Sequence, residues 1–531
     1  MNRPGKNAIV LSGEDWLKGH GSSVDLTDGT FRYNEVKESV SDDSISAVNV
    51  WTDPGVLYPQ PPSSEIYSYT TSDSDPRKTF IATCKGDFDI GATNFFVTNT
   101  GQIYSDYGSG LTLVATDVTA NRTYLEGMTN MVIMNYNLYI SSGGTNAEVI
   151  KIELNSYDGT YVSADYEWLT TTKGVAYQHS PQQPLLVYEN NLWIGNMNVI
   201  NRYNPITDTA SYGTLSLNTD NIVTALGIDN NSGKMMIGVS LGYNGSGTRA
   251  NQNKILIWDG INLKPTRAVN VEDIVTAIYN LAGVNYMLYG DNRLGYWNGS
   301  GITLLRKLRA NRGISFGLSS RFISQWQGNL LVVDGNRILM YGSISNRPKA
   351  WYCIYVYRGN TPNNGGLRTI TLITTKDTDN LFIATERFTN SSQYNTKMEI
   401  LPMSLNKVSG FYADRGYAGE LFFNKIDFGD KLVQIKGVKI FTKKPVANPI
   451  YSVTVAAFPS SGPSWAYTYD VGEYMSFSAT ELYGNPSSTN TFMFYPTGSG
   501  DPVFDEFFLY IQSSTYKLAI TKIIIYYDII E

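Results

Sequence analysis

Seven short apolar segments, most of them opening on asparagine, recur through the middle of the chain. They are Asn94-Phe95-Phe96-Val97, Asn137-Leu138-Tyr139-Ile140, Asn191-Leu192-Trp193-Ile194, Lys234-Met235-Met236-Ile237, Asn285-Tyr286-Met287-Leu288, Asn329-Leu330-Leu331-Val332 and Asn380-Leu381-Phe382-Ile383. Successive copies begin 43, 54, 43, 51, 44 and 51 residues apart. A repeat of that length is one small sheet that cannot bury its own faces and must stack on its neighbours. The expectation is an all-β chain whose residues 73–406 form a seven-bladed β-propeller.

Residues 273–308 show the unit most clearly. Ile274-Val275-Thr276-Ala277-Ile278-Tyr279 alternates as a first strand, and Ala282-Gly283 turns it. Tyr286–Tyr289, Arg293–Trp297 and Ile302–Leu305 follow as second, third and fourth strands, separated by Asp291-Asn292 and Asn298-Gly299. Four short strands with tight Asn/Asp/Gly turns form a meander. Val271 to Leu281 also fits a helical spacing, which over so few residues is ambiguous. The match of Ile222-Val223-Thr224-Ala225-Leu226 to Ile274-Val275-Thr276-Ala277-Ile278, with β-branched residues at the second and third positions of each, decides for a strand. Third strands ending in an aromatic recur at Tyr104, Tyr203, Trp258 and Tyr341, and these rings are expected between blades. Trp258-Asp259 lacks a Gly-His partner, so the repeat is not of the WD40 type.

The flanks differ from the middle. Residues 1–72 hold a polar stretch and the run Asp53-Pro54-Gly55-Val56-Leu57-Tyr58-Pro59-Gln60-Pro61-Pro62. Because proline fixes φ and withholds a donor, this run is expected to be extended rather than laddered. The segment then reads as an extended N-terminal arm, anchored through Trp16 and Trp51 or reaching a neighbouring subunit. After Lys407 the period stops. Leu421–Phe423, Leu432–Ile435, Val438–Phe441, Tyr451–Val455, Phe507–Ile511 and Ile523–Tyr527 are strand candidates between Gly/Pro/Ser turns, and residues 407–531 are expected to form a β-sandwich.

A net charge of −6 argues against nucleic-acid binding as the main task. Cys84 and Cys353 make no disulfide framework, and His20 and His179 leave too few ligands for a Cys/His zinc site. The first apolar run, Ala8-Ile9-Val10-Leu11, is shorter than a secretory core, and Leu518 to Ile530 is too short and too charged to span a bilayer. A soluble chain made in the cytoplasm without a signal peptide is expected.

Four constellations have residue types suited to chemistry. Gly238-Val239-Ser240-Leu241-Gly242 has the spacing of a nucleophile elbow, but a Gly/Ser-rich loop follows it where that motif needs a helix. Asp87-Phe88-Asp89 and Asp377-Thr378-Asp379 alternate oxygen ligands as calcium loops do, without the downstream Glu. Arg306-Lys307-Leu308-Arg309-Ala310-Asn311-Arg312 offers phosphate or an acidic partner a basic patch, or simply guards a solvated strand edge. Trp351-Tyr352 and the pair Trp465 and Tyr467 would stack on sugars if exposed, and pack if not. No catalytic, cofactor-binding or metal-binding residue is assigned from these.

The leaderless start, the proline-rich run from Asp53 to Pro59, the degenerate Asn-Leu-Trp-Ile-Gly repeats and the appended sandwich together resemble virion tail proteins of tailed bacteriophages, of the propeller-bearing nozzle or tail-tip type. That resemblance implies a non-enzymatic structural subunit located in the virion. Its implied partners are other copies of itself in a ring, neighbouring tail proteins, and packaged DNA or a host glycan. The alternative reading is a glycan-binding or glycan-cleaving propeller acting on surface polysaccharide.

Overall fold

The structure, a computed structural model, describes residues 7–12, 50–53, 56–59, 64–70, 78–107, 110–115, 126–143, 148–175, 183–241, 252–308, 320–335, 337–342, 350–356, 368–377, 380–388, 394–403, 419–422, 426–428, 431–442, 453–459, 475–482, 491–497, 503–504, 506–513 and 520–530. Among these, strands assemble into seven four-stranded antiparallel sheets and one twelve-stranded sheet.

Sheets 1 to 7 take their first strands from Phe80–Phe88, Glu126–Met134, Leu185–Tyr188, Asn221–Ile228, Val275–Leu281, Ile323–Trp326 and Arg368–Thr375. Every recurrent segment of the sequence is a second strand, from Gly91–Thr98 in sheet 1 to Asn380–Phe388 in sheet 7. In sheets 2 and 3 the asparagine that opens it fastens the preceding turn. Asn137 Nδ2 donates to the Asn135 carbonyl at 2.8 Å and Asn191 Nδ2 to the Glu189 carbonyl at 2.7 Å. These turns need both central residues at positive φ, as at Asn135 (51°) and Tyr136 (59°), and the side-chain bond holds them there.

First strands of neighbouring sheets lie against one another in chain order, and that of sheet 7 lies against that of sheet 1. Sheets 5 and 6 meet through the short turn Ser320–Phe322, which leads into sheet 6. The sheets therefore form a closed ring, the arrangement of a β-propeller. Val271 to Leu281 is a strand from Val275 onward.

Apolar side chains and hydroxyls join the sheets. Trp193 of sheet 3 meets Trp258 of sheet 4 edge to face at 5.4 Å, and each indole donates to a backbone carbonyl. Ser141 Oγ of sheet 2 donates to the Gln183 carbonyl beside sheet 3 at 2.6 Å, and Thr224 Oγ1 of sheet 4 to the Val275 carbonyl of sheet 5 at 2.6 Å. Gly195, which closes the Asn-Leu-Trp-Ile-Gly segment, sits where a Cβ would stand 2.8 Å from Pro184 Cγ and 2.9 Å from Val223 Cγ1 of the next sheet. Gly195→Ala is expected to destabilise the chain by about 1–3 kcal/mol by forcing sheets 3 and 4 apart. Gly301→Ala, whose Cβ meets open space, is expected to stay within about 0.5 kcal/mol. Urea midpoints of the two variants test the contrast.

The N-terminal segment is not a separate arm where it is described. Ser64–Thr70 pairs with Tyr394–Pro402 as the fourth strand of sheet 7, so the ring closes with a strand from the other end of the chain. Asn7–Ser12 pairs with Ile520–Ile530, and Val50–Asp53 pairs with Val56–Pro59 as a hairpin in the twelve-stranded sheet. Asp53 and Val56–Pro59 of the proline-rich run are thus laddered, contrary to expectation. Pro59 stands at the last position of its strand, where a missing donor costs little. Trp16 and the polar stretch near residue 40 lie outside the described residues.

The remaining strands of the twelve-stranded sheet come from Gly419–Phe422 onward. The two candidates Leu432–Ile435 and Val438–Phe441 are one strand, Leu432–Thr442, bulged between Ile435 and Gly437. Ile426–Asp427, Met475–Leu482, Thr491–Thr497 and Val503–Phe504 are further strands of this sheet, beyond the candidates of the sequence. This sheet turns back on itself. Phe428 touches both Phe507 (5.9 Å, stacked) and Tyr527 (4.9 Å), which lie on strands far apart in the pairing order. Val433, Ile435, Val438, Ile440, Ile523 and Ile525 are fully buried, in a cluster continuous with sheets 5 to 7.

Candidate functional site: an axial cavity and a turn face

Inner strands set the geometry at the axis. The pairing register skips one residue in the first strands of sheets 1, 4, 5 and 7, at Ile81, Thr224, Thr276 and Thr371. A bulge bends its strand and re-aims the extra side chain. Inside the ring lies a cavity of about 190 Å³ between the first strands of sheets 1, 2, 5, 6 and 7 and the turn Ser320–Phe322. Its polar lining is Thr83, Asn130, Tyr279, Ser320, Arg321, Ser324 and Thr374. Arg321 is 5% exposed, donates from Nη1 to the Ile81 carbonyl at 3.4 Å, and lies 4.8 Å from the centre of the Phe322 ring. The Tyr279 hydroxyl is pushed up to about 12 by burial, opposed by its bond with Ser324, so it stays protonated at neutral pH.

The second feature is the end of the ring carrying the turns between first and second and between third and fourth strands. Bonds between adjacent sheets place these turns together. Ile90 N of sheet 1 donates to the Tyr157 carbonyl of sheet 2 at 3.1 Å, and Tyr188 Oη of sheet 3 to the Gly233 carbonyl of sheet 4 at 2.6 Å. Three aliphatic side chains stand almost free in water here: Ile206 (84% exposed) in sheet 3, and Ile261 (83%) and Leu263 (85%) in sheet 4. Ile90, Tyr136 and Tyr157 continue the exposed apolar arc across sheets 1 and 2.

Carboxylates surround this arc and the turns keep them ionised. Backbone N–H groups of Asn262 and Ile261 and the Asn262 amide hold the Asp259 carboxyl down at about 2. Asp158 is lowered by the backbone and hydroxyl of Thr160, and Asp208 by the Lys173 ammonium and the Tyr203 hydroxyl. The face is therefore apolar at its tips and carries ionised carboxylates between them, that of Asp208 paired with the Lys173 ammonium at 2.6 Å.

The residues singled out in the sequence lie apart from one another. Ser240 is buried in the strand Met235–Leu241 of sheet 4, and Gly238 is a packing glycine against Thr224, Ala225 and Val275. His179 and Gly242 lie outside the described residues, as do His20, Asp379, Arg309, Arg312, Trp465 and Tyr467. Asp87 and Asp89 are exposed on the first hairpin of sheet 1, and both Asp377 oxygens accept from Asn380 Nδ2 at 2.9 Å. No group of three or more His, Cys, Asp or Glu side chains arranged for a metal occurs among the described residues.

Arg306 corrects the reading of a solvated basic edge. It is 2% exposed, and its guanidinium lies 4.8 Å from the centre of the Trp351 ring, itself fully buried at the junction of sheets 5 and 6. Planar guanidinium over indole is a favourable packing. Trp351 and the third-strand rings Tyr104, Tyr203 and Trp258 are buried, as expected for rings between sheets, while Tyr341 is half-buried against the cluster that joins sheets 5 to 7. Cys84 carries a free thiol whose pKa burial raises far above the usual range. The Thr bulges and the exposed turn tips escaped the sequence reading. A repeated threonine at 224, 276 and 371 was the available signal for the first.

No family model matches the sequence, and no curated protein does. Among solved structures, the chain is similar to the computationally designed Ika8 protein, at 11% identity and TM-score 0.35, covering 64% of this chain and 99% of that one. It is similar to U3-55K at 10% identity and TM-score 0.39, covering 63% and 98%. It is similar also to the WD40 β-propeller domain of Doa1 at 10% identity and TM-score 0.35, covering 64% and 97%. Likenesses this distant carry no argument, and the ring rests on the contacts within the chain. No helix among the described residues is long and apolar enough to cross a membrane.

Proposed function

We propose that the chain is a non-enzymatic structural subunit of a bacteriophage virion tail, at a nozzle, collar or tail-tip ring. In this reading the seven sheets are seven blades of one propeller, and the twelve-stranded sheet is a β-sandwich that docks on neighbours. One observation carries it: the exposed arc of Ile206, Ile261 and Leu263 among ionised carboxylates. Aliphatic tips held out by rigid turns cost free energy in water, roughly 25 cal/mol per Å², unless a partner covers them. A ring of like subunits or an adjoining tail protein would cover them.

The glycan-binding reading has its own support in the exposed tyrosines Tyr136 and Tyr157 on the same face. The full chain is expected to sediment as a closed oligomer or to bind purified tail assemblies. The triple variant Ile206→Asp, Ile261→Asp, Leu263→Asp is expected to weaken that association at least tenfold while keeping its β-sheet circular dichroism. A monomer that binds polysaccharide on a glycan array and ignores tail assemblies would decide for the glycan reading.

A further inference from the structure

Large hydrophobic side chains that stand in water are unevenly spread. Among the described residues they occur on sheets 1 to 4 and on the twelve-stranded sheet, and none occurs on sheets 5 to 7, whose core runs on into that sheet. Two separate surfaces result, one at the turn tips and one on the twelve-stranded sheet. We propose that they fit each other between copies of the chain: one face of the twelve-stranded sheet of one subunit docks on the turn face of sheets 1 to 4 of the next. This rests on the ring-subunit reading above and names the two surfaces that meet.

Register defines the sheet surface. Paired residues share a face, and so do residues two apart along one strand. Leu432 pairs with Ile530, Gln434 with both Asp528 and Val503, and Ile524 with Val10. Ile524, Asp528 and Ile530 alternate along Ile520–Ile530, so Val10, Leu432, Val503 and Ile530, all exposed, lie on one face of four neighbouring strands. The opposite face buries Val433, Ile435, Ile523 and Ile525. An exposed apolar patch of this kind marks an interaction site.

Charge says what covers each surface. In sheets 1 to 4, the described turns between first and second and between third and fourth strands hold seven Asp and Glu side chains but two lysines, Lys234 and Lys264. Lys173 adds one cation, paired with Asp208. On the sheet surface the balance is reversed. The strands Leu432–Thr442 and Ile520–Ile530 hold Lys436, Lys439 and Lys522 against Asp528, and Lys431 precedes the first of them. Two turn faces brought together would set carboxylate against carboxylate, and two sheet faces lysine against lysine. A turn face on a sheet face joins apolar centres inside rims of opposite charge, the make-up of a specific interface. Contact between two different patches is heterologous, so successive copies close into a ring where the rotation allows it.

The test mixes two variants of the full chain. Ile206→Asp, Ile261→Asp, Leu263→Asp spoils the turn face and keeps the sheet face, and Leu432→Asp, Val503→Asp does the converse. In sedimentation each alone is expected to run as a monomer at concentrations where wild type is a closed oligomer. An equimolar mixture is expected to give a heterodimer of the two and nothing larger, because only one joint is intact. Lys431→Glu, at an exposed position outside the strand, is expected to weaken self-association about fivefold, and it serves if the sheet-face variant does not fold. An oligomer untouched by the sheet-face variant or by Lys431→Glu overturns this joint and leaves the ring-subunit reading standing. Two monomeric variants that fail to pair when mixed, or a monomeric wild type that binds purified tail assemblies, do the same. A monomeric wild type that binds no tail assembly overturns both.

Discussion

A chain that begins at residue 72 is expected to unfold far below the intact chain, with its thermal midpoint lowered by more than about 10 °C, or to fail to fold. The reason is that the last sheet of the ring has no fourth strand of its own. Ser64–Thr70 supplies it, pairing along Tyr394–Pro402 with Asn395 Nδ2 donating to Thr70 Oγ1 at 2.9 Å and Lys397 forming an ion pair with Glu65. Tyr67 joins a closure that Phe382 also makes, its ring edge-on to Phe96 of sheet 1 at 5.2 Å. The Tyr67 ring meets Phe80 at 5.5 Å and Tyr104 at 5.2 Å, both in sheet 1, so the borrowed strand packs directly on the joint where the ring meets itself. Tyr67 Oη lies 3.2 Å from Tyr104 Oη. The truncation also strips three strands from the twelve-stranded sheet. Tyr67→Ala in the intact chain isolates the joint and is expected to cost about 3–4 kcal/mol. Tyr67→Phe, which loses only the hydroxyl contact, is expected to cost about 1 kcal/mol. Chemical denaturation of the three proteins checks the series. A truncated chain with the midpoint of the intact one would falsify the closure.

That closure shows where the sequence is legible and where it is not. The second strands were readable because each is a local signal, a polar start and an apolar run repeated at one period, and the hairpins around them are local too. Ser64-Glu65-Ile66-Tyr67-Ser68-Tyr69-Thr70 is a fair strand by its composition, but nothing within it says that its partner lies more than 300 residues away. The one hint was an omission: after Asn380 the period leaves room for a third strand and ends before a fourth. Arg306 fails for the same reason. Four cations in seven residues read as a wet edge until Trp351, from the next sheet, covers one of them. The axial cavity and the exposed tips at Ile206, Ile261 and Leu263 depend on which ends of several sheets come together, a property of the ring and not of any one repeat.

Glu148→Ala is expected to destabilise the protein by about 3 kcal/mol or more, though the residue touches no cavity and no exposed face. Glu148 is 1% exposed at the start of the third strand of sheet 2. Its Oε1 accepts from the backbone N–H of Val149 (2.9 Å), Leu169 (3.0 Å) and Thr170 (3.2 Å), and its Oε2 from the Thr170 hydroxyl. Two of those N–H groups open the short turn Trp168–Thr172, which would otherwise bury them without partners. The turn in turn wedges Trp168 between sheets 2 and 3, 5.0 Å from Tyr139 and edge-on to Tyr203 at 4.8 Å. Alanine leaves the donors stranded and frees the wedge. Glutamine keeps the shape but sets an amide among donors, and is expected to cost about 1–2 kcal/mol. Burial outweighs the four bonds and raises the Glu148 carboxyl above its ordinary value near 4.5. As pH rises from below that value, the unfolded chain ionises first, so wild type loses stability until the folded carboxyl has also titrated, and is flat above. The advantage of wild type over Glu148→Gln is therefore expected to grow as pH falls from 7 towards 4.5. Urea unfolding of both proteins across that range reads the difference directly, and an advantage that shrinks on acidification would mean that hydrogen bonding, not burial, governs this carboxylate.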